Sequence, residues 1–140
     1  MKKKGFIGLG VMGYPMAGHL ASNSFDVCVF NRTQEKALKW KNEFTGSSCE
    51  SPSEIASQSD VIMICVGKDD DVRDVICGNK GILESVNPGT IIIDHSTTSA
   101  TLAKEMSQIL QEKKCYFLDA PISGGQAGAE AGKLSVMVGG

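Results

Sequence analysis

Three glycines, at positions 8, 10 and 13, close a short apolar run near the start of the chain. Phe6, Ile7 and Leu9 supply the run, and Pro15 to Ala21 reads as a helix, so the spacing G-x-G-x-x-G falls between a strand and a helix. In that setting each glycine has its own task. Gly8 permits a tight turn out of the strand, Gly10 leaves room for a pyrophosphate against the backbone, and Gly13 lets the helix pack close to the sheet. Unpaired N–H groups at the helix start, with the positive end of its dipole, attract phosphate. Pro15 suits the first helical turn, where its missing N–H costs nothing. Glycines serving packing alone are the competing reading. The flanking strand and helix favour a dinucleotide site made by Gly8, Leu9, Gly10, Val11, Met12 and Gly13.

The rest of the chain repeats this alternation. Asp26 to Phe30 predicts a second strand, and Asn31 or Thr33 is placed to cap a helix carrying Ala37, Leu38, Trp40, Lys41 and Phe44 on one face. Gly46 to Cys49 reads as a turn into a very short strand. Ser51-Pro52-Ser53-Glu54 is a capping box with proline at the first helical position, opening a short helix to about Ser57. Val61 to Val66 and Thr90 to Asp94 are continuous apolar runs, expected to be strands buried on both faces. Asp69, Asp70 and Asp71 stand where a helix should start, as dipole partners in preference to metal ligands. Asn87-Pro88-Gly89 is a turn, a long helix follows through Leu102, Met106, Ile109 and Leu110, and Cys115 to Asp119 is a strand. Leu134 to Val138 is one more. The pattern predicts a single α/β domain over residues 1–140, a Rossmann-type doubly wound, mostly parallel sheet with helices on both faces.

Composition narrows the partners. A net charge of −2 offers no basic field for nucleic acid, and no apolar run is long enough to span a bilayer. Lys2-Lys3-Lys4 leads into glycine-rich sequence, unlike the core of a signal peptide. The five cysteines contain no C-x-x-C pair, which suits reduced thiols in the cytoplasm and argues against disulfides or a metal site.

Ligands of such sheets sit at the carboxyl ends of the strands. At the end of the second strand, where an acid would hold a ribose 2′-hydroxyl, stand Asn31, Arg32 and Thr33. A guanidinium there can clamp a 2′-phosphate by charge-assisted hydrogen bonds, so NADP is expected ahead of NAD, against the plainer reading of a solvated surface arginine. A second unusual loop is Ser123-Gly124-Gly125, directly after a strand and read as the start of a helix. Its N–H groups and hydroxyl suit a carboxylate or a hydroxyl-bearing substrate, although a simple glycine turn would look the same. His19 reads as a surface or packing residue. His95, alone at a strand end, makes no catalytic system.

Four segments together resemble the β-hydroxyacid dehydrogenases: Gly5 to Gly13, Asn31-Arg32-Thr33, Ile93-Asp94-His95-Ser96-Thr97-Thr98 and Asp119 to Gly125. That family includes the 3-hydroxyisobutyrate dehydrogenases and the tartronate semialdehyde and glyoxylate/succinic semialdehyde reductases, with 6-phosphogluconate dehydrogenase more distant. The resemblance implies that Ser123, Gly124 and Gly125 bind substrate, that Thr97 lies beside the nicotinamide, and that Val66 and Gly67 line the cofactor cleft. It implies hydride transfer between NADP or NAD and a small 3-hydroxy acid or semialdehyde, and a homo-oligomer in the full-length form. Members are longer. Their general acid/base lysine and all-helical second domain lie beyond the position matching residue 140, so no catalytic residue is expected here, and Lys133 is not expected to replace that lysine. The expectation is therefore the cofactor-binding half of an oxidoreductase; a non-catalytic nucleotide-binding module is the alternative.

Overall fold

Strand and helix alternate along the chain as its apolar patterning predicts. The computed structural model describes residues 3–123 and 135–136. In order, the elements are β1 (Lys3–Ile7), α1 (Gly13–Ser22), β2 (Val27–Phe30), α2 (Gln34–Glu43), β3 (Ser47–Ser48), α3 (Pro52–Gln58), β4 (Ser59–Ile64) and α4 (Asp69–Cys77). A 3-10 turn at Ile82–Glu84 precedes β5 (Ile91–Asp94), α5 (Ala100–Glu112), β6 (Tyr116–Asp119), β7 (Ile122–Ser123) and β8 (Ser135–Val136).

Six strands form one sheet in the order β3-β2-β1-β4-β5-β6, every pair parallel. The chain winds outward from β1 to β3, then returns across to β4, so the order reverses between β1 and β4. That reversal opens a crevice at the carboxyl ends of these two strands. Side chains alternate across the sheet and divide the core in two. Ile7, Cys28, Ile62, Ile64 and Ile92 pack with Ile55 of α3, Val72 and Ile76 of α4, and Leu102, Met106 and Leu110 of α5. Phe6, Val27 and Val29 face the other way, against Ala17 of α1 and Ala37 and Trp40 of α2. Each fully buried Ile, Leu, Phe or Met contributes roughly 1.5–3 kcal/mol. The doubly wound fold is as expected.

Several local readings are corrected. β4 begins at Ser59 and stops at Ile64, so Cys65 and Val66 belong to the loop after it. In β5, Ile92 is buried but Ile91 and Ile93 are only partly so, because α1 and α2 cover β1 and β2 and do not extend over β5. Thr33 is the N-cap of α2 yet makes no capping bond with its side chain, and Leu38 on that helix is exposed. The capping box at α3 is half as predicted. Ser51 accepts from Glu54 N at 3.1 Å, but Glu54 Oε2 accepts from Glu50 N, one residue earlier than the box requires. Ser123, expected directly after a strand, lies within the short strand β7, which pairs antiparallel with β8 outside the main sheet. Leu134, Met137 and Val138 of the predicted final strand fall outside the described residues, as do Gly124, Gly125 and Lys133.

Candidate cofactor cleft

The register aligns the strand ends into one row. Ile7 stands opposite both Phe30 and Ile64, Ile64 opposite Asp94, and Asp94 opposite Asp119. Backbone bonds carry the ladder one step further: Gly8 N donates to Phe30 O at 2.9 Å, Cys65 N to Ile7 O at 2.9 Å, and His95 N to Ile64 O at 2.7 Å. The loops that follow these strands therefore leave the sheet at the same height.

At Gly8 the chain turns sharply, with φ of +102°, a conformation that favours glycine. A Cβ there would also lie 2.1 Å from Cys65 O. At Gly13 a Cβ would lie 1.9 Å from Gly8 O, so the start of α1 rests against the turn. Gly10 differs: a Cβ would meet nothing within 4 Å, because the space in front of this residue is open cleft. The N-cap of α1, Met12, makes no side-chain capping bond, and its first turn carries no acid. An open cradle above uncapped helical N–H groups is what a pyrophosphate requires.

That space belongs to a cleft of about 610 Å³. Gly8, Gly10, Val11, Met12 and Gly13 line its floor, Asn31, Arg32 and Thr33 one wall, and Val66 and Gly67 another. Leu9 is the exception within the glycine loop. Its side chain is buried with Phe6 and Trp40, and its N–H donates to Asn31 Oδ1 at 2.9 Å. Asn31 also donates from Nδ2 to Thr33 O at 3.0 Å, so it braces two loops instead of capping α2. Arg32 is exposed and pairs with Asp71 Oδ1 at 3.4 Å.

A second set of bonds ties the loop after β4 to the loop after β5. Ser96 Oγ accepts from Val66 N at 2.9 Å, and Asp94 Oδ1 accepts from Ser96 N at 2.9 Å. Asp69 accepts from both Ser99 N (2.9 Å) and Ser99 Oγ (2.6 Å), which lowers its carboxyl pKa and joins the start of α4 to the start of α5. Thr97 is exposed at the tip between these clamps, on the same edge as the cleft but not in its lining. Asp94 is fully buried, and that burial raises its pKa. His95 is also buried, which lowers its pKa; its Nδ1 bonds to Ala120 O at 2.8 Å and holds β5 to the segment after β6.

Sequence reasoning missed several lining residues: Glu50, Asp74, Asn79 and Lys80 all face the cleft. Glu50 arrives from the loop before α3, and Asp74, Asn79 and Lys80 from α4 and the turn after it; no local pattern marks them. Asp69, Asp70 and Asp71 were expected to act alike at the start of α4. In the fold they separate, since Asp69 holds Ser99, Asp70 pairs with Arg73 at 3.0 Å, and Asp71 accepts from Lys68 N at 3.2 Å. Among the described residues no group of His, Cys, Asp or Glu could hold a metal ion, no cysteine is in a disulfide, and no helix is long and apolar enough to cross a membrane.

Residues 3–140 match the profile of a family described as the NAD binding domain of 6-phosphogluconate dehydrogenase. The chain is 49% identical over 140 residues to an uncharacterized oxidoreductase of Shewanella frigidimarina, covering 100% of this chain and 48% of that protein. The 3-hydroxyisobutyrate dehydrogenase of Mycobacterium tuberculosis, solved with L-serine, superposes with a TM-score of 0.91 at 33% identity, covering 100% of this chain and 47% of that one. A structure described as Psf3 in complex with NADP+ and 2-OPP superposes with a TM-score of 0.90 at 29% identity, over 96% of this chain and 48% of that one. The chain thus spans about half the length of the proteins it matches.

Proposed function

Because this chain belongs to the family of the NAD-binding domain of 6-phosphogluconate dehydrogenase, we propose that it is the cofactor-binding part of an NAD(P)-dependent oxidoreductase acting on a small 3-hydroxy acid or its semialdehyde. The open space over Gly10 at the uncapped start of α1 carries this reading. The similarity to 3-hydroxyisobutyrate dehydrogenases supports the substrate class.

When bound, the dinucleotide supplies or accepts a hydride at its nicotinamide ring. The chain's own residues bind and orient. N–H groups from Gly10 to Gly13 hold the pyrophosphate, Asn31, Arg32 and Thr33 face the adenosine ribose, and Val66, Gly67 and Thr97 border the nicotinamide. Ser123, Gly124 and Gly125 take the substrate. Arg32 favours NADP over NAD, since a guanidinium gains more from a 2′-phosphate than from a 2′-hydroxyl. The reading extends to a homo-oligomer of the full-length protein in the cytoplasm, where the free thiols of Cys28, Cys49, Cys65, Cys77 and Cys115 would stay reduced.

Calorimetric titration of the chain with NADPH and NADH tests the binding half of this proposal. Tighter binding of NADPH is expected, and equal affinities would remove the cofactor preference. A turnover screen of the intact protein over small 3-hydroxy acids tests the chemistry. Binding without turnover of any of them would favour a nucleotide-binding module that performs no reaction.

A further inference from the structure

Arg32 does not stand alone at the wall of the cleft. Its guanidinium meets Asp71 across the crevice, from the end of β2 to the start of α4, at 3.4 Å. The two partners are held differently. The Arg32 side chain is 75% exposed, while that of Asp71 is 26% exposed and is fixed by a bond from Lys68 N to its second oxygen. Asp71 is thus an anchored carboxylate and Arg32 a movable cation drawn to it. The surrounding lining adds Glu50, Asp74 and Lys80, so carboxylates outnumber cations along this part of the cleft.

We propose that Asp71 is a specificity-determining residue that limits the preference for NADP by competing with the 2′-phosphate for Arg32. The proposal rests on the reading of this cleft as a nicotinamide dinucleotide site. An exposed ion pair of this length is weak, so a phosphate can displace the carboxylate. The displacement still costs the pair, and it leaves the anchored Asp71 beside a second anion. A 2′-hydroxyl needs neither rearrangement. Asp71 therefore penalises NADPH and leaves NADH almost unaffected, narrowing a gap that Arg32 alone would make wide. The same carboxylate keeps the guanidinium at the cleft wall.

Asp71→Asn removes the charge and keeps an oxygen to accept from Lys68 N, so the start of α4 retains its bond. Dissociation constants for NADPH and NADH are measured by calorimetry for the wild-type chain, Asp71→Asn, Arg32→Ala and the double variant, at low and at physiological ionic strength. NADPH should bind about 3- to 10-fold more tightly to Asp71→Asn, the range for one weak exposed pair plus a relieved repulsion. NADH should change by less than about twofold, the gain should be larger at low salt, and most of it should vanish in the Arg32→Ala background. Equal changes for both cofactors, or a gain that persists in full without Arg32, would overturn the proposal. If Asp71→Asn lowers the melting temperature, Asp71→Ser removes the same charge and is held to the same outcomes. A wild-type chain that binds neither dinucleotide would instead overturn the reading of the cleft, and this proposal with it.

Discussion

The side-chain oxygen of Asn31, at the end of β2, accepts the backbone N–H of Leu9 in the glycine loop at 2.9 Å. Through this one bond the cleft wall at the end of β2 is tied to the glycine loop that forms the cleft floor. Asn31 then donates to Thr33 O, which fixes its amide in the orientation the loop needs.

Replacing Asn31 separates these roles. Asn31→Ala leaves the Leu9 N–H without its partner, which costs about 1–3 kcal/mol for a group shielded from water. NADPH and NADH should weaken together, because the loop they share is displaced. Asn31→Asp keeps an acceptor for Leu9 but sets a carboxylate at the ribose, so NADPH should weaken more than NADH. Titrating both variants with both cofactors checks the pair of outcomes. A selective loss of NADPH in Asn31→Ala would contradict the bracing role.

The three glycines should fail in different ways. Gly10→Val adds atoms only to open cleft, so the fold should melt close to wild type while cofactor binding is lost. Gly13→Ala forces a Cβ to 1.9 Å from Gly8 O, and Gly8→Ala adds a positive φ to a backbone clash. Both should lower the melting temperature, through a loss of about 1–3 kcal/mol or more for strained or overpacked sites, at about 3 °C for each kcal/mol in a domain of this size. Thermal melts with and without NADPH distinguish the two classes. A stable Gly10→Val that still binds would place the phosphates elsewhere.

Much of this was legible because β1, its glycine turn and α1 are contiguous. Local spacing alone dictates Gly8, Gly10 and Gly13, and the apolar runs in β4 and β5 announce a parallel sheet. Long-range partners were not legible. The bond from Leu9 to Asn31 crosses 22 positions, and that from Val66 to Ser96 crosses 30. Leu9 sits within the motif, so it was expected at the ligand, and only packing against Phe6 and Trp40 turns its side chain into the core. In the sequence nothing marks a partner for Arg32, because Asp71 is 39 residues away in the chain. Polar residues with one apparent local task, such as Asp69 to Asp71, take their partners from other elements.

The bond between Val66 N and Ser96 Oγ predicts that the loop after β4, which lines the cleft at Val66 and Gly67, depends on Ser96. Ser96 is buried, and Ser96→Ala leaves the Val66 N–H unmatched at a cost of about 1–3 kcal/mol. Ser96→Thr, which keeps the hydroxyl, should recover part of the loss if the added methyl is accommodated. Chemical denaturation with a constant m-value reads the stability change. An unaltered midpoint in Ser96→Ala would mean that water or another group replaces the hydroxyl without cost.

His95 should make the fold sensitive to mild acid. Its ring is buried beneath the strand ends, and burial pushes its pKa below the ordinary 6.5, with the bond to Ala120 O opposing that shift only in part. The unfolded chain therefore takes up the proton first as pH falls. Above pH 6.5 both states hold a neutral ring and the contribution is constant; below it, stability is lost until the folded pKa is reached, by at most about 1.4 kcal/mol per pH unit. Asp94 and Asp119 act in the opposite sense, since burial raises their carboxyl pKa values and makes the folded state the better proton acceptor as the solution becomes acidic. They are common to wild type and variant. His95→Asn sets an amide donor where Nδ1 stands and removes the titration. Denaturation midpoints for the two proteins should run parallel from pH 8 to 6.5 and then separate, wild type falling more steeply toward pH 5. Curves that stay parallel over the whole range would show that His95 charges in the folded protein as readily as in the unfolded chain.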